Sequence, residues 1–322
     1  MSTVSVIVPN YNETDNLRSC LDSLLAQCYE GLEIVLVDDG SNEPSREICR
    51  DYSKNHPSIR LIETDNCGVS HARNIGIGAA CGEYITFVDS DDMVKREHVR
   101  DLLMAITDSN ADVAVCMFDY LAPRSGPESG TGLLDSANTI KVVNKSIAAE
   151  LFAKTYGWFC WGKLYRRSLL VSSGIEFNED VTVCEDLLFN LEVLGACNKV
   201  VLLDSAGYLY RQKGKSATND LHNARWFDAL DAYETAFHLA SGNTELRSAL
   251  SFNCELMLCE AKFRLKYLDY RERKTAEEKI SHLIESLPSD PRYNVRQRAK
   301  LIASHIFPNL VMKIRRRGIQ HD

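Results

Sequence analysis

The sequence predicts an α/β fold: a mainly parallel sheet flanked by helices, with a C-terminal helical region. Three observations carry this. Over the first 120 residues, short apolar runs alternate with segments of helical period. The runs are near-continuously apolar, as strands covered on both faces must be. From about Asp220 the strand-like runs stop and long helical patterns take over.

Val4–Val8 reads as a strand closed by Pro9. A helix over about Asp15–Gln27 puts Leu17, Leu21, Leu24 and Leu25 on one face. Glu33–Val37 is the next strand, ended by Asp38-Asp39-Gly40-Ser41, and a helix over about Glu43–Asn55 stops before Pro57. Ile59–Ile62 is a short strand. Helix Ser70–Ala80 ends near Gly82, read as a left-handed cap. Strand Tyr84–Val88, helix Lys95–Ile106 and strand Asp112–Met117 follow. Residues 121–140, rich in Gly, Ser and Pro, read as a surface loop. Helical and turn signals cover Ile147–Lys154 and Trp158–Arg167, and a helix starts near Glu185. Lys199–Leu203 and Gly207–Tyr210 read as two strands. Ala224–Ala240, Glu245–Tyr267, Thr275–Leu287 and Val295–Arg317 are helical patterns. The expected division is 1–219 and 220–322.

With 322 residues and 45% apolar content the chain can bury a sizeable core. No apolar run reaches the ~20 residues of a membrane span. The start runs directly into a strand without the features of a signal peptide, so the expected location is cytoplasmic. Eleven scattered cysteines, with no Cys-x-x-Cys pair, read as reduced thiols. The net charge of −8 argues against nucleic acid as a partner. Residues 291–322 are the exception, with eight Lys/Arg against Asp322. In 306–317, Ile306, Phe307, Leu310, Val311 and Ile314 stand beside Lys313 and Arg315–Arg317. Such a segment can lie peripherally on the anionic inner face of a membrane, or pack as a terminal helix with a solvated end.

Five places carry candidate chemistry. Asp89-Ser90-Asp91-Asp92 follows the buried strand Tyr84–Val88. Carboxylates at the carboxyl end of such a strand occupy the usual ligand edge of an open α/β sheet. Two like charges about 4 Å apart repel by about 4 kcal/mol at an effective dielectric of 20, so solvent, a proton or a cation must offset them. In an extended segment Asp89 and Asp91 would share a face and suit Mg²⁺ or Mn²⁺ held with a substrate phosphate. A strand-to-helix turn capped by Asp91 or Asp92 is the plainer alternative. Tyr11, in the loop after Pro9-Asn10, can stack on a base or pack on its own helix. In Asp38-Asp39-Gly40-Ser41 a carboxylate can accept from a ring N–H or a ribose hydroxyl, while Gly40 lets backbone approach a ligand; a capped turn is the alternative, though a cap needs only one acid. Arg73, after Asn66-Cys67-Gly68, lies in a first helical turn where a cation is unfavourable, so it asks for an anion or open solvent. Glu185-Asp186 opens a helix, as a general base in a groove or as a charge pair on the helix dipole.

Taken together, Val4–Asn12, Val37–Ser41, Gly68–Asn74, Phe87–Asp92, Trp161–Arg166, Glu185-Asp186 and Tyr210-Arg211 resemble the family-2 glycosyltransferases of the GT-A fold, over about residues 3–215. The resemblance implies a GT-A-like domain that inverts the anomeric centre of a sugar taken from a nucleoside diphosphate donor, usually a UDP-sugar. It implies that Pro9, Tyr11 and Asp39 hold the base with Asp38 supporting the turn, and that Asn66 and Arg73 hold the nucleotide. Asp89-Ser90-Asp91 matches the family's DxD motif. Asp89 would meet ribose or metal, Ser90 would lie beside the donor, and Asp91 would bind Mn²⁺ or Mg²⁺. Asp186 would be the general base, with Trp161 and Glu185 on the acceptor side. The acceptor would be a glycan, a polysaccharide or a lipid-linked sugar. The region from 220 has no counterpart in the resemblance and is left to acceptor, oligomer or membrane-surface contacts. Two rivals remain on the residues alone. One is a haloacid-dehalogenase-like phosphatase with Asp89 as nucleophile, Asp91 as acid and Lys163 in support. The other is a non-catalytic carbohydrate-binding protein.

Overall fold

A computed structural model describes residues 3–121, 140–144, 149, 151, 157–212 and 220–286. The amino-terminal strands are β1 (Val4–Asn10), β2 (Leu32–Asp39), β3 (Ile59–Thr64) and β4 (Tyr84–Phe87). They pair in parallel in the order β3-β2-β1-β4, with Val4 opposite both Leu32 and Tyr84. Their apolar runs are buried because helices cover them. Helix α1 (Leu17–Leu25) buries Leu17, Cys20, Leu21 and Leu24. Helix α2 (Glu43–Asn55) starts at Asn42, whose side-chain oxygen accepts from the Ser45 N–H at 3.3 Å, and carries a proline in its first turn.

Helix α3 (Val69–Ala79) lies close on β1 at Gly76: a Cβ there would sit 2.3 Å from Ile7 Cγ2. The cap expected at Gly82 is not formed. The helix ends at Ala80 in extended backbone, and Gly82 instead donates its N–H to Ser5 Oγ at 2.9 Å, where a side chain would collide with the Ser5 backbone.

Beyond β4 the sheet is mixed. Strand β5 is Met93–Val94, helix α4 is His98–Ser109, and β6 is Val113–Leu121. Strands β7 (Ile140–Asn144) and β8 (Lys163–Arg166), helices α5 (Arg167–Ser173) and α6 (Glu185–Ala196), and strand β9 (Lys199–Arg211) complete this unit. The sheet continues β4-β8-β6-β9-β5, with β7 on β9. Strand β8 is antiparallel to both β4 and β6, so β6 keeps the direction of β4, and β9 runs parallel to β6. The turn signals over 158–167 therefore hide a strand, too short to show a period. The two strands expected at Lys199–Leu203 and Gly207–Tyr210 are one, interrupted by register shifts opposite Cys116–Phe118.

The described residues form two compact units, 3–121, 140–144, 157–180 and 185–212 in one, and 149, 151, 181–184 and 220–286 in the other. In the second, a 3₁₀ turn (Ala224–Phe227) leads into α7 (Asp228–Leu239), α8 (Thr244–Arg264) and α9 (Tyr270–Ser286). Its core includes Trp226, Leu230, Tyr233, Leu250, Cys254 and Leu283. Arg264 is buried there, its guanidinium 4.3 Å from the Trp226 ring centroid and paired with Glu260 at 2.8 Å. Every cysteine is a free thiol. Among the described residues no helix is long and apolar enough to cross a membrane. The helix expected over Val295–Arg317, the membrane-surface reading of 306–317, and most of the expected loop 121–140 and helix Ile147–Lys154 lie outside the described residues.

Two outcomes follow. Gly76→Ala forces a methyl group into Ile7 on a central strand and lowers stability by about 1–3 kcal/mol in urea melts, despite the better helix propensity of alanine. His98 of α4 is buried against Gly207, where a Cβ would lie 2.5 Å from Nδ1, and burial pushes its imidazole down to about 4. The unfolded histidine binds its proton near the ordinary value of ~6.5, so the unfolded state takes up more protons between that value and about 4. His98 therefore removes stability as pH falls through this window, by at most about 3 kcal/mol. Denaturant melts at pH 7, 5 and 4 should show a smaller acid loss for His98→Gln than for the natural protein.

Candidate active site

The site is built at the carboxyl ends of β1, β2 and β4, where strand order places their loops side by side. At the end of β1, buried Asn10 donates through Nδ2 to Asp38 Oδ1 at 2.9 Å. Asp38 also accepts from the Ser41 N–H and from Arg46 Nε, both at 3.3 Å. It is fully buried and braces the turn. Asp39 reaches the other way. Its Oδ1 accepts from the Cys67 N–H at 2.9 Å and its Oδ2 from the Gly68 N–H at 2.8 Å, tying β2 to the loop before α3. Gly40, at φ 72°, allows that approach, since a Cβ would sit 2.6 Å from the Asn66 N. The backbone that Gly40 admits is therefore the chain's own. Pro9 is buried within β1, whereas Tyr11 (53% exposed) and Asn66 stand open on the two braced loops.

Asp89–Asp92 is a turn, not an extended segment: the Asp92 N–H donates to the Asp89 carbonyl at 3.0 Å. Asp92 faces inward, 1% exposed, accepting from the Tyr208 hydroxyl and the Arg211 N–H, each at 2.7 Å. Burial, then the charge of Asp89, pushes its carboxyl up to about 8. It caps no helix; α4 begins at His98 behind Glu97, which makes no side-chain cap. The Tyr208 hydroxyl also accepts the Asp89 N–H at 3.2 Å, and Arg211 Nε donates to the Asp91 carbonyl at 2.8 Å. Tyr208, Arg211 and Asp92 thus hold the turn while Ser90 and Asp91 remain half-exposed in its middle. Sequence reasoning missed this clamp. Its signals were a third acid that a two-carboxylate site does not need and Arg211 in the Tyr210-Arg211 pair.

Arg73 joins the turn to α6. It lies past the first turn of α3 and is 4% exposed. Its guanidinium donates to Asp89 Oδ1 at 3.1 Å, Glu185 Oε1 at 3.0 Å and Asp186 Oδ1 at 2.7 Å, and sits 5.2 Å from the centre of the Phe177 ring. The anion expected beside Arg73 is therefore supplied by three carboxylates of the chain. The other oxygen of Asp186 accepts from the Cys160 N–H at 3.0 Å. Asn190 anchors α6 to the same loop, donating to the Phe159 carbonyl at 3.0 Å and accepting from Tyr165 at 2.9 Å. Three carboxylates meet one guanidinium, with Asp91 close by in the turn. Burial pushes the Asp89 carboxyl up to about 6 against the pull of Arg73. Burial, then the charge of Asp186, pushes Glu185 up to about 7.

Asp89, Arg73, Glu185 and Asp186 are thus brought together. Trp161, expected on the acceptor side, is a buried residue. It is 4% exposed, stacked between Phe159 and Tyr208 with both ring centroids at 4.3 Å. Lys163 is buried and donates to the Phe159 carbonyl, which removes the support a phosphatase would require of it. Among the described residues no group of three or more His, Cys, Asp or Glu could hold a metal by itself.

The Glycosyl transferase family 2 model matches residues 5–170. EpsJ of Bacillus subtilis, named an uncharacterized glycosyltransferase, is 34% identical over 253 residues, 75% of this chain and 72% of EpsJ. TarS of Staphylococcus aureus, named a poly(ribitol-phosphate) β-N-acetylglucosaminyltransferase, is 30% identical over 66% of this chain, but the match spans only 36% of that longer protein. The structure of TarS 1–349 with UDP-GlcNAc superposes with a TM-score of 0.68 at 21% identity, covering 89% of this chain and 82% of that one. The mannosyltransferase PcManGT of Pyrobaculum calidifontis, with GDP-Man and Mn²⁺, gives 0.59 at 18% identity, covering 95% and 87%. Both share the GT-A-like arrangement of a mixed sheet flanked by helices. By the extent of the family match and the likeness to EpsJ, this chain is a sugar-transferring enzyme and belongs to glycosyl transferase family 2.

Proposed function

We propose that this enzyme moves a hexosyl or N-acetylhexosaminyl unit from a UDP-sugar to a hydroxyl of a glycan, polysaccharide or lipid-linked acceptor, with inversion at the anomeric carbon. The observation that carries the reading is the gathering of Asp89, Glu185 and Asp186 on Arg73 beside the Asp91 turn. The complexes of TarS with UDP-GlcNAc and of PcManGT with GDP-Man and Mn²⁺ support the donor class.

In this reading the open Tyr11 ring stacks on the base, and Asn66 and the loop braced by Asp39 line the nucleotide. A divalent cation fits the turn. The donors are hard carboxylate oxygens, the acids here outnumber Arg73, and the described residues alone offer too few ligands, so diphosphate oxygens would complete the shell. Asp91, with the free side of Asp89, would hold Mn²⁺ or Mg²⁺, which supplies charge stabilisation to the departing diphosphate. Asp186 takes the proton from the acceptor hydroxyl as its oxygen attacks the anomeric carbon on the face opposite the leaving group. One displacement of this kind inverts the centre. Arg73 and the Cys160 N–H hold the Asp186 carboxylate in place for that step, and Glu185 stands next to it on the acceptor side. The helical region from 220 is assigned to contacts with the acceptor, a second copy or a membrane surface.

Asp91→Asn should abolish Mn²⁺-dependent UDP binding in calorimetry. Asp186→Asn should keep UDP binding and lose about 10²–10⁴ in transfer rate; full transfer by that variant would reassign the base. Arg73→Met leaves buried carboxylates without their cation and should cost about 3–5 kcal/mol in urea melts.

A further inference from the structure

A second feature lies on the same sheet edge, beyond the acid turn. In the parallel pair β6–β9, Phe118 stands opposite Tyr208 and Tyr120 opposite Tyr210. Alternate residues of a strand share a face, so these four rings line one side of the ladder. Asp119 lies between them in sequence and pairs with Lys95 at 2.8 Å instead. Phe159 and Trp161 stack onto the same rings.

The cluster has a buried root and an open end. Tyr208 and Trp161 are core residues, and Tyr208 holds the acid turn through Asp92 and the Asp89 N–H. Phe118, Phe159 and Tyr210 are half-buried. Tyr120 is 60% exposed, its ring centroid 5.5 Å from Phe118 and 6.0 Å from Tyr210. Burial and then the charges of Asp92, Asp89 and Asp91 push the Tyr210 hydroxyl up to about 12, which sets this ring within the field of the turn. Core packing accounts for Trp161 and Tyr208. It does not account for an open tyrosine at the end of the same stack.

Strand order says what belongs there. The base-side loops follow β1 and β2, the acid turn follows β4, and β6 and β9 lie on the far side of β4, pointing the same way. Along one edge the sequence of zones is nucleotide, diphosphate and then aromatic wall. The group across the diphosphate from the base is the sugar undergoing transfer and the acceptor that attacks it.

We propose that Tyr120, Tyr210, Phe118 and Phe159 form an acceptor subsite that receives the apolar C–H face of a pyranose ring. This rests on the donor reading above and deepens it. The electron-rich face of an aromatic ring attracts the weakly positive C–H bonds of a sugar, and a tyrosine adds a hydroxyl at the rim for the ring's polar edge. The acceptor that fits is therefore a glycan presenting a pyranose.

Saturation-transfer NMR tests this on the full chain with UDP and Mn²⁺ present. The probes are the methyl β-pyranosides of glucose, galactose, mannose and N-acetylglucosamine. The expected result is saturation at the C–H protons of one sugar face for at least one probe. Its affinity should fall about tenfold in Tyr120→Ala and return in Tyr120→Phe, which restores the ring. Tyr210→Leu serves as a second probe of the wall, with thermal melts checking that each variant is folded. No saturation from any pyranoside on a protein that binds UDP overturns the subsite and leaves the donor reading standing, as does equal saturation by wild type and Tyr120→Ala. Failure of the wild type to bind UDP overturns the donor reading, and the subsite falls with it.

Discussion

A buried guanidinium shared by three carboxylates is an unusual thing for a fold to keep, and the rest of this site depends on it. Arg73 sits on α3, Asp89 opens the turn after β4, and Glu185 and Asp186 open α6. Without the cation, these acids would repel one another across a recessed, poorly hydrated space. With it, chain segments more than a hundred residues apart converge on one point. The arrangement is deliberately incomplete in charge. One guanidinium cannot neutralise three carboxylates and a nearby Asp91, and Asp89 and Glu185 are displaced upward, by burial first and by the neighbouring acids after it. A site left in negative excess is suited to a divalent cation arriving with a diphosphate.

The scaffold explains why Arg73 can be buried. Gly76 lets α3 lie directly on β1, and Asp39 and Gly40 hold the loop that leads into the helix. On the opposite flank Tyr208, Arg211 and Asp92 fix the acid turn to β9. Both flanks use buried polar groups satisfied by backbone N–H groups, so the half-exposed acids of the site are positioned by buried ones. Asp38 and Asp92 serve the turns, and Asp89, Asp91 and Asp186 are the acids that the proposed reaction uses.

Much of this was legible in the sequence, because strand and helix periods are local and the acids follow apolar runs. The parallel character of the first strands and the loops that carry Tyr11, Asp39 and Asp91 could be read from those patterns, but not the strand order. What escaped depends on long-range partners. Strand β8 is too short for a period and exists because β4 and β6 flank it. Arg73 signalled the need for an anion, but not that Glu185 and Asp186 would supply it across the fold. Trp161, placed on the acceptor side by the resemblance, is covered on both faces by the rings of Phe159 and Tyr208. The open ring of the cluster is Tyr120, which stands in a strand where an aromatic residue draws no notice.

The most direct test is a crystal structure with UDP and Mn²⁺, with the manganese located by anomalous scattering. The expected map has one strong peak on the Asp91 carboxylate, against diphosphate oxygens, with Arg73 still bridging Asp89 to Asp186. A metal bound elsewhere on the sheet edge, or UDP bound with Arg73 drawn away from all three acids, would contradict it.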